Sequence, residues 1–599
     1  MSKISIFLLI IIITFLLMIL TTINFWVLPL FSSSNSPLDH HYNVGDQVPL
    51  FANKVGPLNN PSETYEYFVL PFCRPDQLIR KKEPLGEVLN GNRLTNTRYD
   101  MKFQVTKVAE ILCTKKLARE EVVKFRDAIN RDFYFHMYYD DLQFWGFIGK
   151  VEEENLNSHM RGPRFYLFTH VQFEVLYNSN HVIEVHAFSD PNHIVDITED
   201  AETDVKFTYS VNWNATSVQF ANRMRRYSRA ALLSPVQQLH WFSIINSIVI
   251  ILLSMGLLAM LYWWNIKSDL RKYSNGDEDD REIGWAFMGG DVFRCPTLLS
   301  LFCAVLGCGT QLFLVVCCLF VLIILGLLDP YTHGTLWTVA VAIYTVMSAV
   351  AGYSAASFHC QFSETGWERS VLLTGVLFMG PLLLVLSFLN TVSVSYGSTA
   401  ALSFGMIFLM FLVHTFVAAP FLALGGIVGR HYSCTNFVPS TMRHMREIPS
   451  LTWYRKIQIQ MILAGLLPFS AVLVELHLFY ASIWSYKLFT LPSILFISFS
   501  ILVSLTAILS VGLTYIQLSV EDPEWWWRSV LRGGSTAIFM FVYSIYFYAR
   551  SHMSGLMQLC YFLGYNACIC YACFLMLGAI AFRASSMLIY QMSHSVKSE

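Results

Sequence analysis

Charged side chains are scarce in this sequence. Asp, Glu, Lys and Arg make up 14% of the 599 residues, whereas a soluble domain carries about 25%. The deficit is concentrated after Leu239, so we expect the two parts of the chain to sit in different solvents. The formal net charge of −1 gives no support for nucleic-acid binding, which needs a basic stripe, and no nucleic-acid partner is predicted.

Catalytic motifs are also lacking. No nucleophile elbow, Walker loop or HExxH helix occurs in a suitable context. Cys568, Cys570 and Cys573 include a CxxC pair, but it lies in a very apolar run and no second ligand pair accompanies it. We therefore predict no metal site and no other cofactor. An enzyme is the least supported class of protein.

Cysteines are rare in the first part of the chain. Of thirteen in total, eleven occur from Cys295 onward, mostly in apolar runs where a thiol acts as a small hydrophobic group. The remaining two are Cys73 and Cys113. If this part is extracytoplasmic, they are the candidate disulfide; the alternative is a pair of buried thiols.

The N-terminus has the pattern of a secretory signal. Lys3 precedes an apolar run over residues 4–20, and small residues follow at 32–34. This pattern predicts a signal peptide over residues 1–34. Because the apolar run is long, an uncleaved signal anchor remains an alternative, which would add a tenth membrane span.

Residues 35–238 are predicted to form a β-rich domain. β-branched and aromatic segments at 67–72, 101–108, 165–176 and 182–187 are separated by Gly, Pro, Asn and Asp, as strands and turns require. Residues 118–131 favour one helix. We expect a β-sandwich with a helical insert. The glycosylation tripeptide beginning at Asn214 lies in this domain.

Residues 239–583 contain apolar runs of membrane-spanning length, which is about twenty residues each. A tail at 584–599 follows. The sequence predicts nine transmembrane helices, near residues 241–264, 298–328, 335–357, 370–392, 400–429, 457–482, 489–518, 533–549 and 556–582. The predicted fold class is therefore a polytopic α-helical membrane protein with an N-terminal β-rich domain.

The short loops predict the orientation. With the β-rich domain on the luminal side, fifteen Lys and Arg residues fall in cytoplasmic loops and the tail, and only Lys487 and Arg550 fall in short luminal loops. Cytoplasmic loops carry such an excess of positive charge. We expect a luminal N-terminal domain and a cytoplasmic C-terminus. Arg528 and Arg532 are assigned to a cytoplasmic loop in this interpretation.

Six blocks of sequence are distinctive in their order along the chain. In the first part they are YNVGD (42–46), EYFVLPFCRP (66–75) and LGEVLNGNR (85–93). In the membrane part they are GGDVFR (289–294), PFSA with VEL (468–471, 474–476) and EDPEWWWRS (521–529). Nearly end to end, these blocks resemble the transmembrane nine superfamily, the nonaspanins, and within it the shorter member-one type. IGWAFM (283–288) departs from the sequence that is usual in the family at this point, so we assign no role to the loop before the second predicted span.

The resemblance implies a trafficking function. Nonaspanins take part in sorting and surface localisation of other membrane proteins, and they reside in Golgi and endosome membranes. Their C-terminal K-x-D/E signal corresponds here to Lys597, Ser598 and Glu599, which would bind the coatomer coat and retain the protein in the Golgi. The implied partners are coatomer, the lipid bilayer and client membrane proteins, and we expect the contact with clients to involve their transmembrane helices.

Two ionisable residues stand inside predicted spans, Glu475 in the sixth and His414 in the fifth. A charge near the bilayer centre costs about 2.5–3.5 kcal/mol on insertion scales, so each must face other helices, water or a partner. They could form a proton or metal path, which makes a transporter or channel the alternative function. They could equally be hydrogen-bonded groups that fix helix packing, and we favour this interpretation because no regular series of ionisable residues accompanies them.

Overall fold

The structure, a computed structural model, describes residues 40–81, 85–152, 163–223, 292–328, 334–433, 456–485, 492–519 and 522–597, with shorter stretches between 242 and 267. The predicted signal peptide lies outside the described residues.

The described residues of the N-terminal part form a domain with twelve strands. They are β1 Leu50–Pro57, β2 Tyr65–Glu66, β3 Thr95–Asn96, β4 Lys107–Leu117, β5 Phe133–Tyr139, β6 Leu142–Phe147, β7 Gly149–Glu152, β8 Arg164–Phe168, β9 His170–Asn178, β10 His181–Ser189, β11 Ile194–Asp196 and β12 Thr203–Ala215. The β5–β6 hairpin turns through Asp140 and Asp141, whose φ angles are 48° and 62°. Two positive φ angles fit a two-residue turn of the type that matches strand twist.

The strands form three sheets. The first has the order β2-β1-β5-β6 with β3 also paired to β1, the second β10-β9-β12-β4, and the third β11-β8-β7. In the second sheet β9 and β12 are parallel. The first two sheets share one hydrophobic core, where the rings of Phe144 and Phe173 meet with centroids 5.7 Å apart. The predicted β-sandwich is confirmed.

Two helices insert into this domain: α1 (Leu85–Leu89) and α2 (Arg119–Asn130). The second is the helix predicted at 118–131. At its start the Glu121 carboxylate accepts a hydrogen bond from the Ala118 N–H at 3.2 Å, which satisfies a donor that a helix N-terminus leaves free. Val122, Phe125 and Ile129 share one buried face, so the helix packs on the core.

The C-terminal part is a bundle of apolar helices. A short helix α3 (Ile244–Leu257) precedes eight described helices that are long and apolar enough to cross a membrane. These are α4 Leu299–Ile324, α5 Thr335–Cys360, α6 Trp367–Tyr396, α7 Phe404–Tyr432, α8 Ile457–Ser485, α9 Pro492–Leu518, α10 Trp526–Arg550 and α11 Leu556–Lys597. They correspond to eight of the nine predicted spans. The first predicted span, 241–264, lies partly outside the described residues.

Two helix boundaries differ from the prediction. Helix α10 begins at Trp526, seven residues before the predicted start, so Arg532 lies inside a membrane helix and the interpretation of it as a loop residue is wrong. Its side chain finds hydrogen-bond partners on neighbouring helices, which a count of apolar residues does not reveal. Helix α11 continues to Lys597, through most of the segment predicted as a tail.

The eight long helices pack as two halves. In the first, α5 contacts α4 and α7, and α4 contacts α6; in the second, α8 contacts α9 and α10, while α11 contacts α9 and α10. Helix α11 also packs against α4 and α6 and joins the halves. The end of the bundle next to the β-rich domain is called the domain-facing end here, and the opposite end the far end.

Candidate functional site

The β-rich domain sits on the bundle through the LGEVLNGNR block, residues 85–93. A Cβ added to Gly86 would lie 1.9 Å from the backbone oxygen of Gly334, at the start of α5. Gly334 itself has φ +58°, a conformation that side chains other than glycine rarely adopt. The two backbones therefore touch directly, and this contact needs glycine on both sides.

Hydrogen bonds extend this contact to the α6–α7 loop. Arg93 Nη2 donates to the Ala401 oxygen at 2.7 Å. The hydroxyl groups of Thr64 and Thr399 are 2.7 Å apart, and the Thr399 N–H donates to the Thr64 oxygen at 2.9 Å. Buried contacts between a domain and a loop fix the relative position of both, because each lost hydrogen bond leaves an unsatisfied polar group.

The second half of the bundle also holds the domain. The Ser62 N–H donates to Gln558 Oε1 at 2.9 Å, and the Ser554 N–H donates to Asn60 Oδ1 at 2.9 Å. Gln558 lies in the first turn of α11, and Ser554 precedes the helix. The β-rich domain thus contacts both halves at the domain-facing end.

Helices α5 and α7 pack with their backbones in contact. A Cβ on Gly425 would lie 1.8 Å from the Ala349 oxygen, and one on Gly352 would lie 2.0 Å from the Leu422 oxygen. Gly429 approaches Tyr353 in the same way, at 2.6 Å. Small residues allow this close approach in membranes, where packing and interhelical hydrogen bonds hold helices together.

Helices α6 and α7 are the least buried of the eight long helices. Only 11% of the most apolar window of each is buried inside the bundle, against 33–56% for the other six long helices. On α6, three hydroxyl residues spaced one turn apart, Ser387, Thr391 and Ser395, are all exposed. On α7, Gly405 has nothing within 4 Å of a Cβ position. This pair of helices therefore forms a lateral surface with polar and small residues in it.

His414 lies on this lateral side of the bundle. It begins a π-helical segment, His414–Ala418, in the middle of α7, and such segments often occur at functional sites. Its Nδ1 atom is buried and has no partner among the residues that the structure describes.

Glu475 lies on α8 in the second half, and its side chain is 3% exposed. The structure does not bring it together with His414, because α7 packs on α5 and α6 whereas α8 packs on α9 and α10. A transport path that uses both residues therefore gains no support from the geometry. No group of three or more metal-binding side chains occurs among the described residues.

A cluster of buried polar residues lies at the far end of the second half. Arg532 on α10 is 0% exposed. Its Nη2 donates to Gln460 Oε1 on α8 at 2.6 Å and to Gln517 Oε1 on α9 at 2.5 Å. One arginine thus ties three helices together, although intramembrane charges are costly and are often functional.

Two of the resembling blocks meet near this cluster. Trp525 Nε1 donates to the Val292 oxygen at 3.0 Å, and Trp527 Nε1 donates to the Thr297 oxygen at 2.7 Å. Trp525 also stacks on Phe582 of α11, with centroids 5.2 Å apart. These two tryptophans therefore fix the chain segment that precedes α4.

The other predicted site residues lie apart from these clusters. Cys73 and Cys113 are joined by a disulfide between the EYFVLPFCRP block and β4. Asn214 is exposed near the end of β12, which leaves room for a glycan. Lys597 is the last residue of α11, while Ser598 and Glu599 lie outside the described residues.

Sequence reasoning missed Arg532, Gln460 and Gln517 as a group. A signal for Arg532 was present, because tryptophans are enriched at membrane interfaces and the tryptophan run at 525–527 precedes the predicted span start. Gln460 and Gln517 had no comparable signal. Each is one polar residue near the end of an apolar run, and only the packing of three helices brings their side chains to one guanidinium.

Comparison with known proteins gives consistent matches along the chain. Residues 64–556 match the model of the family described as Endomembrane protein 70. Transmembrane 9 superfamily member 5 of Arabidopsis thaliana is 49% identical over 586 residues, covering 97% of this chain and 99% of its own. Transmembrane 9 superfamily member 1 of Mus musculus is 37% identical, covering 91% and 92%. A protein named "Putative phagocytic receptor 1b" from Dictyostelium discoideum is 34% identical, covering 95% and 97%. No solved structure matches the chain.

Proposed function

This chain belongs to the Transmembrane 9 superfamily, and from that premise we propose that it sorts and localises other membrane proteins between the Golgi, endosomes and the cell surface. The names of its relatives support a role of this general kind, since one of them is named as a phagocytic receptor. In the proposed orientation the β-rich domain is luminal and the far end of the bundle is cytoplasmic.

The observation that carries this proposal is the lateral surface of α6 and α7. A client's transmembrane helix can lie against it without unfolding any part of the bundle, since these two helices are the least buried. Ser387, Thr391 and Ser395 offer hydroxyl groups that can hydrogen-bond to polar residues of a client, and Gly405 permits close approach. The β-rich domain stands directly above this surface, because it is fixed to the α6–α7 loop.

Co-purification with client helices tests the proposal. The bait is the full chain, and the clients are single-span reporters whose transmembrane helix carries either glycine and polar residues or leucine alone. We expect the polar reporters to co-purify preferentially, and the triple variant Ser387→Leu, Thr391→Val, Ser395→Leu to lose that preference.

The matched control is Ser504→Leu. Ser504 is an exposed hydroxyl residue on α9, and it bonds within its own helix at 2.8 Å. This variant should retain the preference. Equal capture of both reporters by the native protein would contradict client recognition through membrane helices.

Retention by a coat is the second part of the proposal. The C-terminal Lys597, Ser598 and Glu599 would be held by coatomer, since short charged sequences at a chain end serve as addresses that receptors bind. The test compares the steady-state location of the native protein with that of a Lys597→Ala, Glu599→Ala variant, with the tag in a far-end loop. Escape of the variant to later compartments is expected. Identical distributions would show that the tail is not an address.

A further inference from the structure

The cluster around Arg532 has more hydrogen-bond donors than acceptors. Nη2 uses both of its hydrogens on the amide oxygens of Gln460 and Gln517. Nε and Nη1 of Arg532, Nε2 of Gln517 and Oγ1 of Thr536 are buried and have no partner in the part of the chain that the structure describes. Thr536 follows Arg532 by one helical turn, so both lie on one face of α10.

No carboxylate among the described residues forms a hydrogen bond or ion pair with Arg532. Both of its hydrogen-bond partners are neutral amides. The carboxylate of Asp522 acts on Arg532 electrostatically, but its ion pair is with Arg528. A buried charge without a directly paired counter-ion costs several kcal/mol, so an anion that supplies both charge and acceptors would stabilise the cluster.

The number of donors favours a phosphate group over a carboxylate. The unpaired atoms carry six donor hydrogens: three on Arg532, two on Gln517 and one on Thr536. A carboxylate has two oxygens with about four lone-pair sites, whereas a phosphate group has at least three such oxygens and can accept more hydrogen bonds. The planar guanidinium also suits phosphate well. Lys456 lies one turn nearer the far end than Gln460 and is exposed, so it brings positive charge to this side of the site. Arg528 lies one turn nearer the far end than Arg532, and its charge is shared with Asp522 and Glu524.

We propose that Arg532, Gln517 and Thr536 bind a phosphate group that enters between α8 and α10 from the far end of the bundle. Because Arg532 is fully buried, the group reaches it when the side chains of Lys456 and Arg528 move aside. The group is the headgroup of an acidic phospholipid or a soluble phosphate. In either case, binding of the phosphate group makes the packing of α8, α9 and α10 depend on the concentration of acidic lipid or soluble phosphate.

The test measures the thermal stability and ligand affinity of the purified full chain in a neutral detergent. One arm adds inorganic phosphate against chloride at equal ionic strength. The other adds phosphatidic acid against phosphatidylcholine in mixed micelles. We expect saturable stabilisation in one arm, and that arm identifies the source of the phosphate. Arg532→Gln should weaken the affinity roughly tenfold or more, since it removes a charge-assisted contact.

Arg583→Gln is the matched control. This arginine lies toward the same end on α11, and its guanidinium already has a hydroxyl partner in Ser354 at 2.6 Å, so the affinity should stay unchanged. If Arg532→Gln fails to fold, Gln517→Leu and Thr536→Val provide the same comparison with the charge kept, and each should weaken binding. Stabilisation in neither arm, or equal affinities for the native protein and all three site variants, would overturn the proposal.

Discussion

The two halves of the membrane bundle differ in the charged group that joins their helices. In the first half, α5 and α7 bring their backbones into contact at Gly352, Gly425 and Gly429. In the second half, α10 and α11 come similarly close at Gly533, where a Cβ would lie 2.6 Å from the Leu577 oxygen, and the buried Arg532 in addition joins α8, α9 and α10. Backbone contact leaves no space for a change of residue, whereas a polar cluster can exchange its partners. We infer that the first half is the rigid support of the lateral surface and that the second half is the part open to ligand control.

The largest effect should come from filling the glycine contact. Gly425→Val would put a Cβ 1.8 Å from the Ala349 oxygen, and both backbones would have to separate. We expect a loss of unfolding free energy of at least about 3 kcal/mol, at the upper end of overpacking costs. Thermal unfolding of the purified full chain measures it.

Gly405→Val is the control for this variant, because it lies on the same helix with nothing within 4 Å of its Cβ position. Its stability should match that of the native protein. If both variants lose stability equally, the loss does not come from the close backbone contact at Gly425.

A smaller effect should follow from weakening the contact between the β-rich domain and each half of the bundle. Gly86→Val meets the Gly334 oxygen at 1.9 Å and should weaken docking by about 2 kcal/mol. Gln558→Ala removes one hydrogen bond to the Ser62 N–H and should cost about 1 kcal/mol. Hydrogen exchange of the α6–α7 loop amides measures both. A larger loss of protection with Gln558→Ala would show that the second half makes the stronger contact with the domain.

A smaller coupling should be found between α9 and α11. Ser510 and Ser585 place their hydroxyl oxygens 2.7 Å apart, and Thr514 lies 2.9 Å from Ser585. A double-mutant cycle with Ser510→Ala and Ser585→Ala should give a coupling of about 1 kcal/mol, as interhelical hydrogen bonds do in membranes. Pairing Ser504→Ala with Ser585→Ala is the control, and additive effects are expected there. Additivity in both cycles would mean that hydroxyl contacts do not hold the second half.

The smallest effect is a loss of stability at acid pH, which we expect in the β-rich domain and not in the membrane bundle. Burial lowers the pKa of His170, and the neighbouring His193 lowers it further. The unfolded chain therefore takes up a proton near pH 6.5, where the folded domain does not. The stability that the neutral His170 contributes is therefore fully present above pH 6.5, and it falls as the pH drops toward the lowered pKa. Hydrogen exchange in β9 and β12 between pH 7 and 5 should show a loss of protection in the native protein.

His170→Gln should lessen that loss, because a glutamine can bond Thr208 and Ser210 in place of the ring nitrogens without taking up a proton. Exchange in the membrane helices should change little over the same range. An identical pH response in the variant would assign the acid sensitivity to other groups.

The position of Arg532 shows where sequence reasoning stopped. A run of apolar residues marks a span because the bilayer needs about twenty of them, and a charged residue at the edge of the run is assigned to a loop. The structure extends α10 back to Trp526, since two glutamines on other helices accept hydrogen bonds from the guanidinium. The partners of a polar side chain decide whether it can be buried, and they lie 72 and 15 residues away in the sequence.

The sequence alone determined the class of the protein. Local composition was enough for the β-rich domain, for eight of the described membrane helices and for the family, because hydrophobic length, strand alternation and ordered motifs are properties of neighbouring residues. Only the tertiary structure decided that the LGEVLNGNR block seats the domain on α5, that Glu475 and His414 lie in different halves, and that Arg532 joins three helices. These outcomes depend on contacts between distant segments, and a backbone approach or a shared hydrogen bond has no local sequence signature.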